Sequence, residues 1–346
     1  MHYLILQYPG HNWVYYQNAE KLALAELGIA SRSMDATLEH IKCVELAGIR
    51  YISFIASTTL TTHDLQIISQ LSFVFALFSE VEHSLHPLKI PPQQYVDPKI
   101  SSLLKYKGKT NELFTRMMIN VAVHYSNFDS NAPLELLDPV AGKGTTLFEA
   151  TTFGYHAYGI ETEEQAVQDG QTFFKKFLEQ ERFKHARSAR VIFKNEEHKP
   201  AQITEFVYAK SKDEYKNESL RRIMGMVHGS SKEAHNYFKK ERFNVIVGDL
   251  PYGIKHGNKA GKMYSSPSRN PFHLVTECLP EWKKVLKKGG TIVLAWNSNL
   301  INRKKFGDIF LNEGFELGTE PPFDQFEHRV DSAIKRDVIV AKKTRN

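Results

Sequence analysis

The chain is nearly devoid of cysteine: Cys43 and Cys278 are the only two among 346 residues. Their separation suits neither a disulfide framework nor a CxxC metal site, so two reduced core thiols are expected. Long apolar runs are also missing. The longest strongly apolar stretch, residues 71–78, falls far short of the roughly 20 residues that a membrane helix needs. No basic segment followed by an apolar one opens the chain, so the expected location is cytoplasmic, without membrane contact. The fifteen histidines show no ligand spacing backed by cysteine or carboxylates, and no metal is expected.

What is present describes a packed protein. Hydrophobic residues make up 42% and charged residues 24%, a balance that excludes disorder. A net charge of +6 tilts the chain mildly toward a polyanionic partner. The length suits two domains. Residues 3–7, 49–56 and 73–78 read as strands and residues 18–27 as a helix with Gly28 as its C-cap. Residues 1–95 are therefore expected to form a βαβ-type α+β module that could bind RNA. The prolines at 87, 91, 92 and 98 break regular structure, and a linker is placed at 96–110.

From residue 111 the pattern changes. Leu113, Met117, Met118, Val121 and Ala122 predict an amphipathic helix over 111–124. Strand and helix patterns then alternate at 134–137, 145–152, 157–160 and 163–178, with strand candidates at 291–296, 315–317 and 336–341. Such alternation predicts an α/β fold with a parallel sheet covered on both faces. Residues 191–194 and 203–208 read as a hairpin inserted near 181–220, and 221–228 as the next core strand.

Two motifs follow apolar runs. The first is Asp138-Pro-Val-Ala-Gly-Lys-Gly-Thr-Thr146. Its glycines allow a ligand close to the backbone and a sharp turn into a helix, whose N-terminus favours a carboxylate or phosphate. It is no dinucleotide fingerprint, because Leu147 stands where the third glycine belongs, and no P-loop, because Lys143 precedes Gly144. A nicotinamide-dependent dehydrogenase is thereby disfavoured. One strand later, Glu161 could accept from ribose hydroxyls or cap the following helix.

The second motif is Asp249-Leu250-Pro251-Tyr252. An exocyclic amine on a nucleobase is a poor nucleophile, because its lone pair is delocalised into the ring. The Asp249 carboxylate and the Leu250 carbonyl can accept both amine hydrogens and aim that lone pair at a methyl donor. Pro251 rigidifies the turn, and Tyr252 offers a face for stacking. Positioning beside an activated sulfonium is then most of the catalysis. The two motifs in this order suggest methyl transfer from S-adenosyl-L-methionine (SAM).

These residues resemble motif I ("DPxxGxGTxxxEA") and motif IV ("[DN]-x-P-Y/F-G") of class I SAM-dependent amino-methyltransferases. More narrowly they are similar to the THUMP-associated tRNA guanine-N2 methyltransferases. Thr115-Arg-Met-Met-Ile-Asn120 and the tail Phe326-Glu-His-Arg-Val-Asp-Ser-Ala-Ile-Lys-Arg-Asp337 share that likeness, which covers residues 110–342. The resemblance implies a Rossmann-like domain over 111–346 beside the smaller N-terminal α+β domain. It also implies SAM as cofactor, and methylation of an exocyclic amine in RNA, guanine N2 in tRNA. By that resemblance Asp138, Pro139, Ala141, Gly142, Gly144, Thr145, Thr146 and Glu161 hold the cofactor. Asp249, Leu250, Pro251 and Tyr252 present the amine.

Two departures stand out: His228-Gly-Ser-Ser231 carries no acid where the family often places one near the adenine, and residues 1–95 show no clear THUMP signature. Adenine N6 in DNA and a non-catalytic SAM- or nucleic-acid-binding protein stay open as alternatives. Downstream, Lys255, His256, Lys259 and Lys262 read as a basic flap or a solvated loop. Lys283-Lys284, Lys287-Lys288 and Arg303-Lys304-Lys305 read as solvated helix faces.

Overall fold

A computed structural model describes residues 1–8, 13–91, 94–192, 200–252, 271–331 and 334–344. The basic flap anticipated after Tyr252 and the hairpin tip at 193–199 lie outside the described residues.

The N-terminal elements are β1 (His2–Gln7), α1 (Trp13–Ala30), β2 (Leu38–Leu46), β3 (Ile49–Ala56), α2 (Thr62–Gln70), β4 (Val74–Val81) and β5 (Ser84–Leu88). Their sheet runs β2-β3-β1-β4-β5 and every pairing is antiparallel. Each helix thus joins strands that run parallel but are separated by a third, the split βαβ arrangement. Pro87 is no linker residue. It sits in β5 at the sheet edge, where a missing N–H costs no ladder bond. Gly28 likewise lies inside α1 rather than capping it. A methyl there would come 3.2 Å from Pro322 Cγ, so the glycine admits a distant loop. Cys43 is half-buried on β2 rather than in the core.

After α3 (Lys99–Leu103) comes α4 (Glu112–Tyr125), started by Asn111, whose side chain accepts from Phe114 N at 3.1 Å. The expected amphipathic helix is instead buried on all sides from Phe114 to Tyr125. One face meets the second sheet. The other meets α1, whose Leu22, Ala25 and Ile29 share a core with Phe114, Met117 and Val121. Glu26 and Asn120 on that face pair with each other. Glu26 of α1, 1% exposed, accepts from Ser72 N at 2.9 Å, from the Ser72 hydroxyl, and from Asn120 Nδ2 at 2.6 Å.

Burial raises the Glu26 carboxyl to about 7, against an ordinary 4.5. A raised folded-state value means the native state binds the proton more tightly, so stability falls as pH rises from about 4.5 to 7. Glu26→Gln removes that dependence. Its melting temperature should match the wild type near pH 5 and exceed it by several degrees at pH 8; equal melting at both pH values would refute this account.

The second sheet is built from β6 (Glu135–Asp138), α5 (Thr145–Thr152), β7 (His156–Glu161), α6 (Glu164–Gln180), β8 (Lys184–Ile192), β9 (Ala201–Ala209), α7 (Lys212–Lys216) and β10 (Arg222–His228). There follow α8 (Ala234–Tyr237), β11 (Phe243–Asp249), α9 (Pro271–Val285), β12 (Leu286–Asn297), α10 (Arg303–Asn312), β13 (Glu316–Leu317), β14 (His328–Arg329) and β15 (Lys335–Lys342). The order is β13-β15-β12-β11-β6-β7-β10-β9-β8, with β14 beside β15. Strands β12, β11, β6, β7 and β10 are parallel, and the inserted hairpin β8–β9 extends the sheet antiparallel to β10. This is a Rossmann-like α/β domain beside a smaller α+β one. The strand order reverses between β6 and β11, and such a switch point opens a crevice at the strands' carboxyl ends.

The lysine clusters are not simple solvated helix faces. Lys283 Nζ donates to the Glu313 carbonyl at 2.7 Å, Lys287 and Lys288 sit in β12, and Arg303 pairs with Asp337 at 2.6 Å.

Candidate active site

Asp138, Glu161 and Asp249 end β6, β7 and β11, so three chain-distant carboxyl groups come together at the crevice, and β10 ends beside them at His228. A cavity of about 500 Å³ opens there, lined among others by Val140, Ile160, Glu161, Asp249 and Pro251. That size suits a nucleoside-bearing cofactor.

The glycine loop is shaped by its own backbone. Gly142 (φ 52°) and Gly144 (φ 97°) adopt left-handed conformations that a side chain disfavours. Gly144 caps α5, while Ala141 N donates to the Ile160 carbonyl at 3.0 Å and fastens the loop to β7. Thr145 and Thr146 open α5 and are buried. The Thr145 hydroxyl hydrogen-bonds the Tyr106 hydroxyl at 2.9 Å, and the Thr146 side chain hydrogen-bonds Asp138. Pro139 lines the cavity. Lys143, whose target the sequence leaves open, pairs with Asp169 of α6 at 2.5 Å.

Asp138 is 2% exposed and its Oδ1 accepts from Val140 N at 2.9 Å. Burial first, and then the negative charges of Glu161 and Asp249, push its carboxyl up to about 7, against the pull of its hydrogen bonds with Thr146 and Val140. A methyl at Gly248 would come 3.2 Å from Asp138 Oδ1, so that glycine lets β11 pass close beside β6.

Glu161 does not cap α6, whose N-cap is Glu163, but braces the turn that leads into it. Its Oε1 accepts from the amides of Thr162 (2.7 Å) and Glu163 (2.8 Å), and its Oε2 accepts from Gly142 N at 2.9 Å. It thus ties the glycine loop to the start of α6. Oε2 keeps a lone pair, since each carboxylate oxygen can accept twice.

In the second motif, Leu250 is buried and donates its N–H to the Ala295 carbonyl at 2.9 Å. Pro251 is exposed at the cavity's edge. Asp249 is not a bare acceptor. The Tyr252 hydroxyl donates to its Oδ1, the Thr110 hydroxyl donates to its Oδ2 at 2.5 Å, and an Arg336 nitrogen lies 3.5 Å from Oδ2. Burial, and the carboxylate beside it, hold the Tyr252 phenol well above its usual range, so it stays a donor. The nearby His328 donates its Nδ1–H to the Phe326 carbonyl, 2.8 Å away. Burial lowers its imidazole to about 4, so it is neutral at physiological pH.

Sequence reasoning brought together Asp138, Glu161 and Asp249 but missed Thr110, Arg336, Tyr106 and Gly248. Arg336 lies in the tail that carried the family likeness; the others left no signal in the chain pattern. At the acid-free end of β10, Ser230, Ser231 and Lys232 line the cavity. Trp282 Nε1 donates to the Ser231 hydroxyl at 3.0 Å. Cys278 also lines the cavity, and burial pushes its thiol up to about 12, which removes thiolate chemistry.

The model of the UPF0020 family (RMKL-like, methyltransferase domain) matches residues 121–308, more than half of the chain and inclusive of both motifs. The chain belongs to this family, and its cofactor is S-adenosyl-L-methionine. A search of curated proteins gave no match. Among solved structures, TrmN from Thermus thermophilus is 13% identical with a TM-score of 0.42, covering 88% of this chain and 60% of that one. A Methanococcus jannaschii fibrillarin pre-rRNA processing protein is 11% identical with a TM-score of 0.38, covering 90% and 89%. An rRNA methylase from Streptococcus thermophilus is 11% identical with a TM-score of 0.33, covering 62% and 92%. The chain therefore spans 60% of the length of TrmN.

The residues at the crevice fit such a cofactor. Val140, Ile160 and Leu274 give the cavity an apolar wall, and Ser230 and Ser231 add polar residues to its lining. The buried Asp138 carboxyl suits a positively charged group of the ligand. No described helix is long and apolar enough to cross a membrane.

Proposed function

We propose that the protein methylates an exocyclic amine of a nucleobase in RNA, guanine N2 in tRNA. The observation that carries the reading is Asp249, held at the switch point with each carboxylate oxygen accepting from a hydroxyl. A two-acceptor group complements guanine, whose N1–H and N2–H donors are adjacent. It repels adenine, whose N1 is an acceptor beside the N6 amine. Such a base must leave its stack to reach the site, and single-stranded loops of RNA allow that at least cost. The net charge of +6 suits the polyanion. The likeness of both motifs to tRNA guanine-N2 methyltransferases supports the choice of tRNA.

In this reading Asp138, Pro139, Ala141, Gly142, Gly144, Thr145 and Thr146 hold the methionine end of the cofactor, and Glu161 accepts from the ribose through Oε2. The cofactor supplies a methyl group already activated on a sulfonium. Asp249 and the Leu250 carbonyl accept the amine hydrogens and orient the nitrogen lone pair. Pro251 fixes the turn, and Tyr252 lies against the base. These roles need no metal and no thiol.

Because Asp138 titrates near 7 when the site is free, a cationic ligand should lower that value and release a proton. Affinity for SAM then rises with pH up to about 7 and levels above it. Calorimetry in buffers of different ionisation heat reads the proton directly. Asp138→Asn should bind more weakly and without this pH dependence; a pH-dependent variant would remove Asp138 from the assignment.

The functional test offers tritiated SAM with tRNA, ribosomal RNA and genomic DNA, separately, from cells lacking the protein. Label recovered as N2-methylguanine in tRNA is the expected result. Label in DNA as N6-methyladenine would overturn both base and polymer. SAM binding without label anywhere would favour a non-catalytic role.

A further inference from the structure

We propose that Arg336 is a positioning residue for methyl transfer, holding Tyr252 and Asp249 as one rigid unit; this rests on the reading given above. Arg336 is nearly buried, with its side chain 7% exposed. It lies on β15 opposite Asn297 of β12 and His328 of β14, so its backbone is fixed from both sides. Its guanidinium carbon is 4.4 Å from the centroid of the Phe114 ring, on the buried α4, and 5.2 Å from that of Tyr252.

The direction of the hydrogen bonds follows from the chemistry of the groups. A guanidinium only donates. Its Nε is 2.7 Å from the Tyr252 hydroxyl, so the phenol oxygen must accept there. The phenol hydrogen is then left to point at Asp249 Oδ1, where it is found. Another guanidinium nitrogen lies 3.5 Å from Asp249 Oδ2. One side chain thereby sets the tilt of the ring that would face the base and the orientation of the carboxylate that would face the amine. A lysine at this position would supply the charge but not the planar fork. The positive charge also offsets the crowding of Asp138, Glu161 and Asp249 around one crevice.

An arginine that merely stabilises the fold would act independently of the Tyr252 hydroxyl, and a double-mutant cycle separates the two cases. Arg336→Lys and Tyr252→Phe are each expected to lower kcat on tRNA by roughly 10–100-fold, with the SAM dissociation constant within about twofold. The double variant should be no slower than the worse single variant to within about twofold, because both changes cut the same chain. Effects that multiply would overturn the proposal, as would a Tyr252→Phe enzyme with wild-type kcat. The latter holds even if Arg336→Lys fails to fold. Transfer by the wild type is measured in the same assay. If the wild type labels no nucleic acid, the functional reading falls and this inference with it; if it labels tRNA and the cycle is additive, only this inference falls.

Discussion

Asp249→Ala should lower methyl transfer by roughly 10²–10³-fold or more while the SAM dissociation constant stays within about threefold, by analogy with the loss of one preorganised polar group. The separation of the two effects follows from the structure. The glycine loop is held by Ala141 N at the Ile160 carbonyl and by Gly142 N at Glu161, and neither bond involves Asp249. Asp249 instead faces Thr110, Tyr252 and Arg336. Removing it takes away the acceptor that orients the amine, and one hydrogen-bonding partner each from Arg336 and Thr110. Reorganisation around those donors is confined to the acceptor side of the site. Asp249→Asn is the sharper companion, because it keeps one acceptor and adds a donor among existing donors. It should lose roughly 10–100-fold in kcat, and should lose the discrimination against adenine-containing substrates that the second acceptor gives. Single-turnover rates with saturating SAM, together with equilibrium SAM binding, check both variants. An equal loss of rate and of SAM affinity in Asp249→Ala would move Asp249 to the cofactor side.

The strand ends that build the crevice were legible because short-range letters decide them. Asp-Pro before a Gly-x-Gly turn and Asp-x-Pro-Tyr after an apolar run each specify local backbone, and β3 and α5 fall at residues 49–56 and 145–152 as expected. What the sequence concealed depends on partners far along the chain. Thr110 meets Asp249 across 139 residues, and Arg336 meets it across 87. Nothing in the spacing of either announces the contact. The all-round burial of α4 was hidden for a related reason. Asn120, Arg116 and His124 give the helix a polar side in the sequence, yet the N-terminal module covers Asn120 and α5 covers Arg116. Two of these groups are satisfied inside the protein, Asn120 by Glu26 and Arg116 by Glu149 at 3.1 Å, while His124 is buried with neither ring nitrogen hydrogen-bonded. Periodicity reports which residues avoid water in isolation and is blind to a second layer that supplies matching polar groups.

The same blindness applies to two glycines beneath the cofactor loop, and these carry the second large effect. Gly159→Ala and Gly170→Ala should each weaken SAM binding by roughly tenfold or more, although neither residue lines the cavity. Gly159 lies in β7, and a methyl there would come 2.5 Å from Ala141 Cβ and 2.9 Å from Leu147 Cδ1. Gly170 lies in α6, and a methyl there would come 2.6 Å from the Lys143 carbonyl oxygen. Both approaches are far inside van der Waals contact, and in the second the obstacle is backbone, which cannot rotate away as a side chain would. The strain must move residues 141–143, the segment whose left-handed Gly142 and Gly144 place the helix N-terminus at the crevice. A helix interior ordinarily gains from Gly→Ala by up to about 1 kcal/mol, so a destabilised Gly170→Ala would itself show that packing overrides propensity. The two variants press on the same short loop, so their combined loss of SAM affinity should be smaller than the product of the single losses. Titration calorimetry on the folded variants reads the affinities, and thermal melts confirm that they are folded. Wild-type affinity in either one would mean that the loop has room to give, and that its observed conformation is not what SAM selects.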